Sequence, residues 1–229
     1  MISFLKNLEF KKLKAESSKL NRGMTYVELI VVLSIFAVMT SIVLFNYSKY
    51  QEQVDIKVLA NDIALKIVQA QKSALSGELP PLSQQTQIDS TWKPSYGVYF
   101  DPGTNNNFIY FTDLGIWDNI AGHNTQNNSY DSSSCPGSGE CLNSITITKG
   151  DYILRIDSYL GLTPTQITNP LSITFTRPNS GAAFYSNGLS LPAGFDYVQI
   201  TISSPSLIKS CIDVYPSGRI QINQCLLAS

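Results

Sequence analysis

The chain has one histidine, His123, in 229 residues, and Asp, Glu, Lys and Arg together make up only 14% of it. It has no proline or glycine from Thr25 to Ser76, no charged residue between Glu28 and Lys49, and no cysteine before Cys135. Each absence excludes something. A lone histidine in a Gly- and Asn-rich stretch, with no C-x2-C pair, does not fit a zinc site. No G-x-S-x-G, P-loop, G-x-G-x-x-G or H-E-x-x-H is present, so no catalytic or nucleotide-binding motif is offered. A net charge of −1 removes the bulk electrostatic reason to expect a nucleic-acid partner. The missing helix breakers predict one uninterrupted helix over 25–76. No tandem repeat at a fixed period is evident.

What is present starts with Arg22-Gly23-Met24-Thr25-Tyr26-Val27-Glu28 and the apolar run Leu29–Phe45 behind it. A bilayer-crossing helix needs about 20 apolar residues, and this segment is long enough. Its polar members reduce to Ser34, Thr40, Ser41, Asn46 and Ser48. A carboxylate at such a threshold needs company, because an ionised side chain near the bilayer centre costs roughly 2.5–3.5 kcal/mol. Glu28 has no basic residue one helical turn away. The nearest cations are Arg22 and an amine that would exist only if the chain were cut after Gly23. A secretory signal peptide fits less well, since its cleavage site follows the apolar region after small residues. An ordinary signal anchor is the plainer alternative. Residues 1–23 hold six lysines and arginines against two glutamates, a net +4, which leaves −5 for the remainder of a chain whose total is −1. A basic flank marks the cytoplasmic side of a membrane helix, so the expected orientation is N-in and C-out.

This pattern resembles the type IV pilin and pseudopilin family. Its members carry a short basic leader ending in glycine, a cut after that glycine, an N-methylated first residue, glutamate at the fifth mature position and a long apolar helix. Those features fall on Gly23, Met24, Glu28 and Leu29–Phe45. Met24 stands where phenylalanine is usual, Phe45 where many members have a kinking proline, and Ala37 where many have glycine. The later echoes Ala70-Gln71-Lys72-Ser73-Ala74, Ile173-Thr174-Phe175-Thr176-Arg177-Pro178-Asn179 and Val214-Tyr215-Pro216-Ser217-Gly218-Arg219-Ile220 are similar to minor pseudopilins of the H type.

The resemblance implies an α+β pilin fold, with a long N-terminal helix packed on an antiparallel β-sheet domain. The parts would be a leader 1–23, a membrane or filament-core helix 24–48, an amphipathic helix 49–76 and an extracytoplasmic β domain 77–229. It also implies a structural subunit of a type IV pilus or type II secretion pseudopilus rather than an enzyme. A prepilin peptidase/methyltransferase would cut between Gly23 and Met24 and methylate Met24. The remaining partners would be other pilin or pseudopilin subunits, the inner-membrane assembly platform and, before assembly, membrane lipid. No cofactor and no metal is implied. A major pilin or surface adhesin is the alternative, and a membrane-anchored exported enzyme a further one.

The rest of the chain supports that layout on its own pattern. Ile56, Ala60, Ile63, Ile67, Ala70 and Ala74 recur at alternating steps of four and three, the mark of one buried helix face. Asp62 and Lys66 are placed for a surface i,i+4 pair. Gly77, Pro80 and Pro81 end the helix. In the apolar half, Ser34, Ala37 and Ser41 share a face on which helices can approach closely, or reflect only the small-residue content of membrane helices.

From Leu82 onward the pattern reads as β. The expected strands are Tyr96–Phe100, Phe108–Thr112, Ser144–Thr148, Tyr152–Asp157, Ser172–Arg177, Ala182–Tyr185, Tyr197–Ser203, Cys211–Tyr215 and Arg219–Asn223. Ile145 and Ile147, like Ile200 and Ile202, alternate as in strands with one buried face.

Four cysteines beyond the helix read as two disulfides in an exported domain, with three possible connectivities. Free thiols are the alternative in a host without oxidising machinery. The local pairs Cys135–Cys141 and Cys211–Cys225 are favoured, the second across a three-residue turn centred on Gly218. Asp101–Asn143 reads as a solvated variable loop. Asp113, Asp118 and Asp131 there lack the calcium-loop spacing. Asp151 and Asp157 read as solvated acids at strand ends.

Overall fold

A computed structural model describes residues 25–88, 90–118, 123–131, 135, 139–223 and 225. The chain divides into two compact units between Asn46 and Tyr47. The helix α1, Tyr26–Ser76, contributes its first part to one unit and its second to the other.

In the first unit every described residue from Thr25 to Phe45 is exposed. Its 18-residue apolar window has a mean hydropathy of 2.6, enough in length and character to cross a membrane. The hydroxyls of Ser34 and Thr40 are satisfied within the helix. Ser34 Oγ donates to Val31 O at 2.8 Å and Thr40 Oγ1 to Phe36 O at 2.8 Å. A spanning helix needs such internal partners, because lipid supplies none.

In the second unit the alternating seam lies where its spacing predicts. Ile56 is 1% exposed, and Ala60, Ile63, Ile67, Ala70 and Ala74 are 0% exposed. The helix stops as expected at Gly77, whose φ is +71°. Gly77 N–H donates to Ala74 O at 3.2 Å and Glu78 N–H to Ser73 O at 3.1 Å. That is the paired closure in which a left-handed residue satisfies the last carbonyls. The guanidinium of Arg177 packs on this end, 2.7 Å from where a Gly77 Cβ would sit. A cation there complements the helix dipole.

One helical turn, α2 at Leu82–Gln85, follows. The strands are β1 Ser95–Phe100, β2 Asn107–Thr112, β3 Ile116–Asp118, β4 His123–Thr125, β5 Cys141–Thr146, β6 Tyr152–Leu160, β7 Thr163–Ile167, β8 Leu171–Thr176, β9 Ala183–Ser186, β10 Leu189–Ser190, β11 Tyr197–Ser203, β12 Lys209–Val214 and β13 Ile220–Asn223. They form a six-stranded sheet in the order β10-β9-β8-β1-β2-β5, a five-stranded sheet in the order β13-β12-β11-β6-β7, and the separate pair β3-β4. Every pairing is antiparallel. The α+β class is therefore observed. One core holds the helix seam, Tyr96, Val98, Phe100, Ile173 and Phe175 of the first sheet, and Ile156, Ile200, Ile202, Ile212 and Val214 of the second. Gln71 stitches the layers, its amide donating to Ser180 O at 2.8 Å and Gly218 O at 3.2 Å.

All nine expected strands exist, with ends displaced by up to three residues. Four short ones, β3, β4, β7 and β10, and the turn α2 were not expected. β7 shows why: only Ile167 of its five residues is buried, so no alternation marks it. It is held as the second strand of a hairpin, paired to β6 across the Gly161-Leu162 turn. The one-sided reading of Ile200–Ile202 needs correction as well. From Val198 to Ser203 all of β11 is buried, because neighbouring strands' side chains also cover Gln199 and Thr201 on its second face. Lys66 turns from Asp62 to Gln69 Oε1, at 3.1 Å, and sits over the Tyr110 ring.

The seam and its stitch lead to a measurable contrast. Ile63→Ala is expected to destabilise the fold by about 2–5 kcal/mol. Lys72→Ala, on the exposed face, should stay within about 0.5 kcal/mol. Gly218→Ala combines a φ of +85° with a Cβ that runs into Ser180 O, so it should fall with the first group. Urea unfolding of the chain in detergent ranks all three.

Candidate functional site

Glu28 lies in the first turn of α1, and it is exposed. Thr25 caps that turn: its Oγ1 accepts the Glu28 N–H at 3.3 Å, and its carbonyl accepts the Leu29 N–H at 3.0 Å. Thr25-x-x-Glu28 is thus a capping-box sequence at a helix start. The Thr25–Glu28 spacing carries this cap signal in the sequence itself, which the sequence expectations above do not include. Free N–H groups at a helix N-terminus favour a carboxylate nearby, typically by about 0.3–1 kcal/mol. Glu28 therefore has a local electrostatic partner before any other charge is considered. Gly23 and Met24, the expected cut site, lie outside the described residues, as do the leader 1–22 and the side chains of Asp118 and His123.

Further along α1, a shallow groove is lined by Phe36, Ala37, Thr40, Ser41, Leu44 and Phe45. Ala37 and Ser41 line it, whereas Ser34 does not.

The stretch read as a solvated loop is pinned by two buried acids. Asp113 is 0% and Glu140 4% exposed. Glu140 Oε1 accepts the N–H groups of Leu114 at 2.9 Å and Gly115 at 3.1 Å, and Oε2 accepts that of Asp131 at 2.8 Å. Asp113 Oδ2 accepts the Asn128 N–H at 3.0 Å and the Ser95 hydroxyl at 3.4 Å, while Oδ1 has no hydrogen-bond partner. Burial pushes Glu140 up to about 8 and Asp113 up to about 6, against the hydrogen bonds that pull both down. Glu140 carried no signal in the sequence, since an acid between Gly139 and Cys141 looks like turn surface. It is buried because backbone donors from three other positions converge on it.

Asp131 is exposed and held by Asn127 Nδ2 at 2.7 Å. Among the described residues no three His, Cys, Asp or Glu side chains come together as metal ligands.

Cys135 is bonded to Cys141 and Cys211 to Cys225, with Cα separations of 5.4 and 5.1 Å. The turn between β12 and β13 needs a correction of one residue. The loop is Pro216–Gly218, closed by Tyr215 and Arg219, so Asn223 stands opposite Cys211 and Cys225 reaches it from two residues beyond. Gly218 takes the third loop position, where φ is positive.

Asp151 and Asp157 are not solvated: they are 6% and 1% exposed. Asp157 lies inside the longer β6, with Arg155 Nε 2.8 Å from its Oδ2 in an ion pair without hydrogen-bond alignment. Nothing places it beside Asp151 as a catalytic pair. On the same sheet, Asp213 accepts Gln199 Nε2 at 2.8 Å and Asn223 Nδ2 at 2.6 Å. These polar groups hold the outer face of the second sheet together.

No family model, curated protein or solved structure matches this chain.

The two buried acids set a pH dependence. Each has a folded-state pKa above its usual value, 4.5 for Glu140 and 3.8 for Asp113. The fold then binds more protons than the unfolded chain over that interval, and stability falls as pH rises. Thermal unfolding midpoints should therefore decline from pH 5 to pH 8. Glu140→Gln should remove the decline above pH 6 and roughly halve it between pH 5 and pH 6, where Asp113 still contributes. A midpoint that rises over this range, or an unchanged slope in the variant, contradicts the assignment.

Proposed function

We propose that this chain is the precursor of a pilin-like structural subunit, a minor pilin or pseudopilin of a type IV pilus or type II secretion pseudopilus. In this reading it is inserted N-in and C-out in the cytoplasmic membrane. A prepilin peptidase/methyltransferase trims it between Gly23 and Met24 and methylates Met24. It then assembles through its N-terminal helix with other pilin or pseudopilin subunits on an inner-membrane platform. The carrying observation is Glu28, capped by Thr25 at the mouth of a helix whose next 17 positions are exposed and, apart from two internally bonded hydroxyls and Ser41, apolar. The unit beyond Tyr47 supports the reading, since the same helix continues there as the spine of an antiparallel β domain with two disulfides.

Glu28 has a physical role in that assembly. Cleavage would create an ammonium at Met24, and in a filament the ammonium of one subunit would meet Glu28 of its neighbour. Attraction between the charges strengthens as the local dielectric falls. Desolvation offsets much of it, so the gain is chiefly in register: a misplaced subunit leaves a carboxylate unpaired in an apolar core. Repeating a contact that does not close yields a helical filament.

Intact-mass measurement and N-terminal sequencing of the membrane form provide the test. The expected chain begins at Met24 and carries one added methyl group. A native chain beginning at Met1 removes the reading. Glu28→Ala should still be trimmed but should be lost from sheared filaments. Its normal incorporation would sink the pairing role while leaving the trimming intact.

A further inference from the structure

The half of α1 that packs on the sheets carries a second apolar line on its other side. Val54, Val58, Leu65, Val68 and Leu75 are 37%, 50%, 63%, 43% and 41% exposed. Asn61 and Lys72, also exposed, fill the gaps, so the positions advance in steps of 4, 3, 4, 3, 4 and 3. At 3.6 residues per turn, this line runs about 150° around the helix from the buried seam. A heptad line of this kind on a helix already packed along its opposite side is a seam for another helix. Lipid does not cover it, because charged residues recur throughout this stretch, from Lys49 through Glu52, Asp55, Lys57 and Asp62 to Lys66.

We infer that the occupant is a second copy of this chain, paired with it in parallel and in register along Val54–Leu75. The flanking charges are self-complementary. Lys57 and Asp62, both exposed, lie on opposite edges of the line and five residues apart. That is the offset at which edge positions of two parallel in-register helices face each other. Symmetry makes two Lys57–Asp62 pairs, one on each side. Asn61 sits mid-line, and its amide is satisfied within its own helix by donating to Lys57 O at 2.8 Å. Lys72 opposite itself weakens the far end, and its long stem lets the ammonium escape to water. The opposite placement of the two seams keeps each chain's sheets on the outside of the pair. The parallel sense rests on the membrane reading proposed above, in which both copies enter the bilayer at the same end; the line itself does not. The pairing buries apolar surface of subunits outside a filament.

The full chain is tested in membranes by single-cysteine variants, its native cysteines being already bonded to each other. Val58→Cys and Leu65→Cys should each give a disulfide-linked dimer under mild oxidant. Gln53→Cys, off the line, and Leu162→Cys, on the β6–β7 turn, should stay monomeric. Lys57→Asp in the Val58→Cys background should lower dimer yield roughly fivefold, the order expected for about 1 kcal/mol, and adding Asp62→Lys should restore it. Equal cross-linking at all four positions overturns the in-register pair. So does a cross-link that forms only on co-expression, between a Val58→Cys chain and a Leu65→Cys chain. Native disulfides are checked in each variant by thiol labelling, so that misfolding is not read as failure to pair. Leader status, read by mass on the same samples, separates the two proposals. Dimers of chains that retain Met1 would sink the processing reading alone, and trimmed chains without dimers would sink the pairing alone.

Discussion

The structure beyond Tyr47 depends on one strip of α1, whose fully buried apolar positions are isoleucine and alanine. Ile56, Ile63 and Ile67 supply the bulk of the strip, while Ala60, Ala70 and Ala74 are as deeply buried with much smaller side chains. Both large sheets meet on this strip, so the helix is the common wall of a single core. The Arg177 guanidinium and the Gln71 amide then fix its end and its rotation through contacts with loops of the β domain. Dense packing leaves little tolerance there, since interiors are filled like organic crystals.

Polar groups inside that frame do a different job. Glu140 gathers three backbone N–H groups and Asp113 gathers one more with a serine hydroxyl, so a stretch with little apolar content still has a defined path. The Cys135–Cys141 bond ends beside the same acid, at the residue that follows it. On the second sheet, Gln199, Asp213, Asn223 and Tyr159 form a hydrogen-bonded row that closes its outer face without aliphatic residues. A small domain can hold irregular segments this way, provided that nearly every buried donor and acceptor finds a partner.

The same helix therefore meets three environments. From Leu29 to Phe45 it is exposed and, apart from three hydroxyl side chains, apolar, and it is long enough to cross a membrane. Past Lys49 it is amphipathic twice over, with one line turned to its own sheets and one turned outward. A helix bearing two seams cannot satisfy both alone.

Much of this was legible in the residues. Periodicity, missing helix breakers and Gly77 located the helix and its inner face. β-branched and aromatic runs located nine strands, and short spacing paired the cysteines. Such signals survive because they are local: a helix face or a strand writes its period into a few consecutive residues. The Thr25–Glu28 cap is a signal of the same local kind.

Other features were decided only when distant segments met. Asp157 lies inside a β6 that runs three residues further than its apolar pattern, and it is buried there. The β12–β13 turn closes one residue earlier than expected, which sets Asn223 rather than Cys225 opposite Cys211. Glu140 changed from apparent turn surface to an anchor because donors far from it in sequence converge on its oxygens. Burial of a polar group and the register of an edge strand depend on what arrives from elsewhere in the chain, and no short window of sequence contains that information.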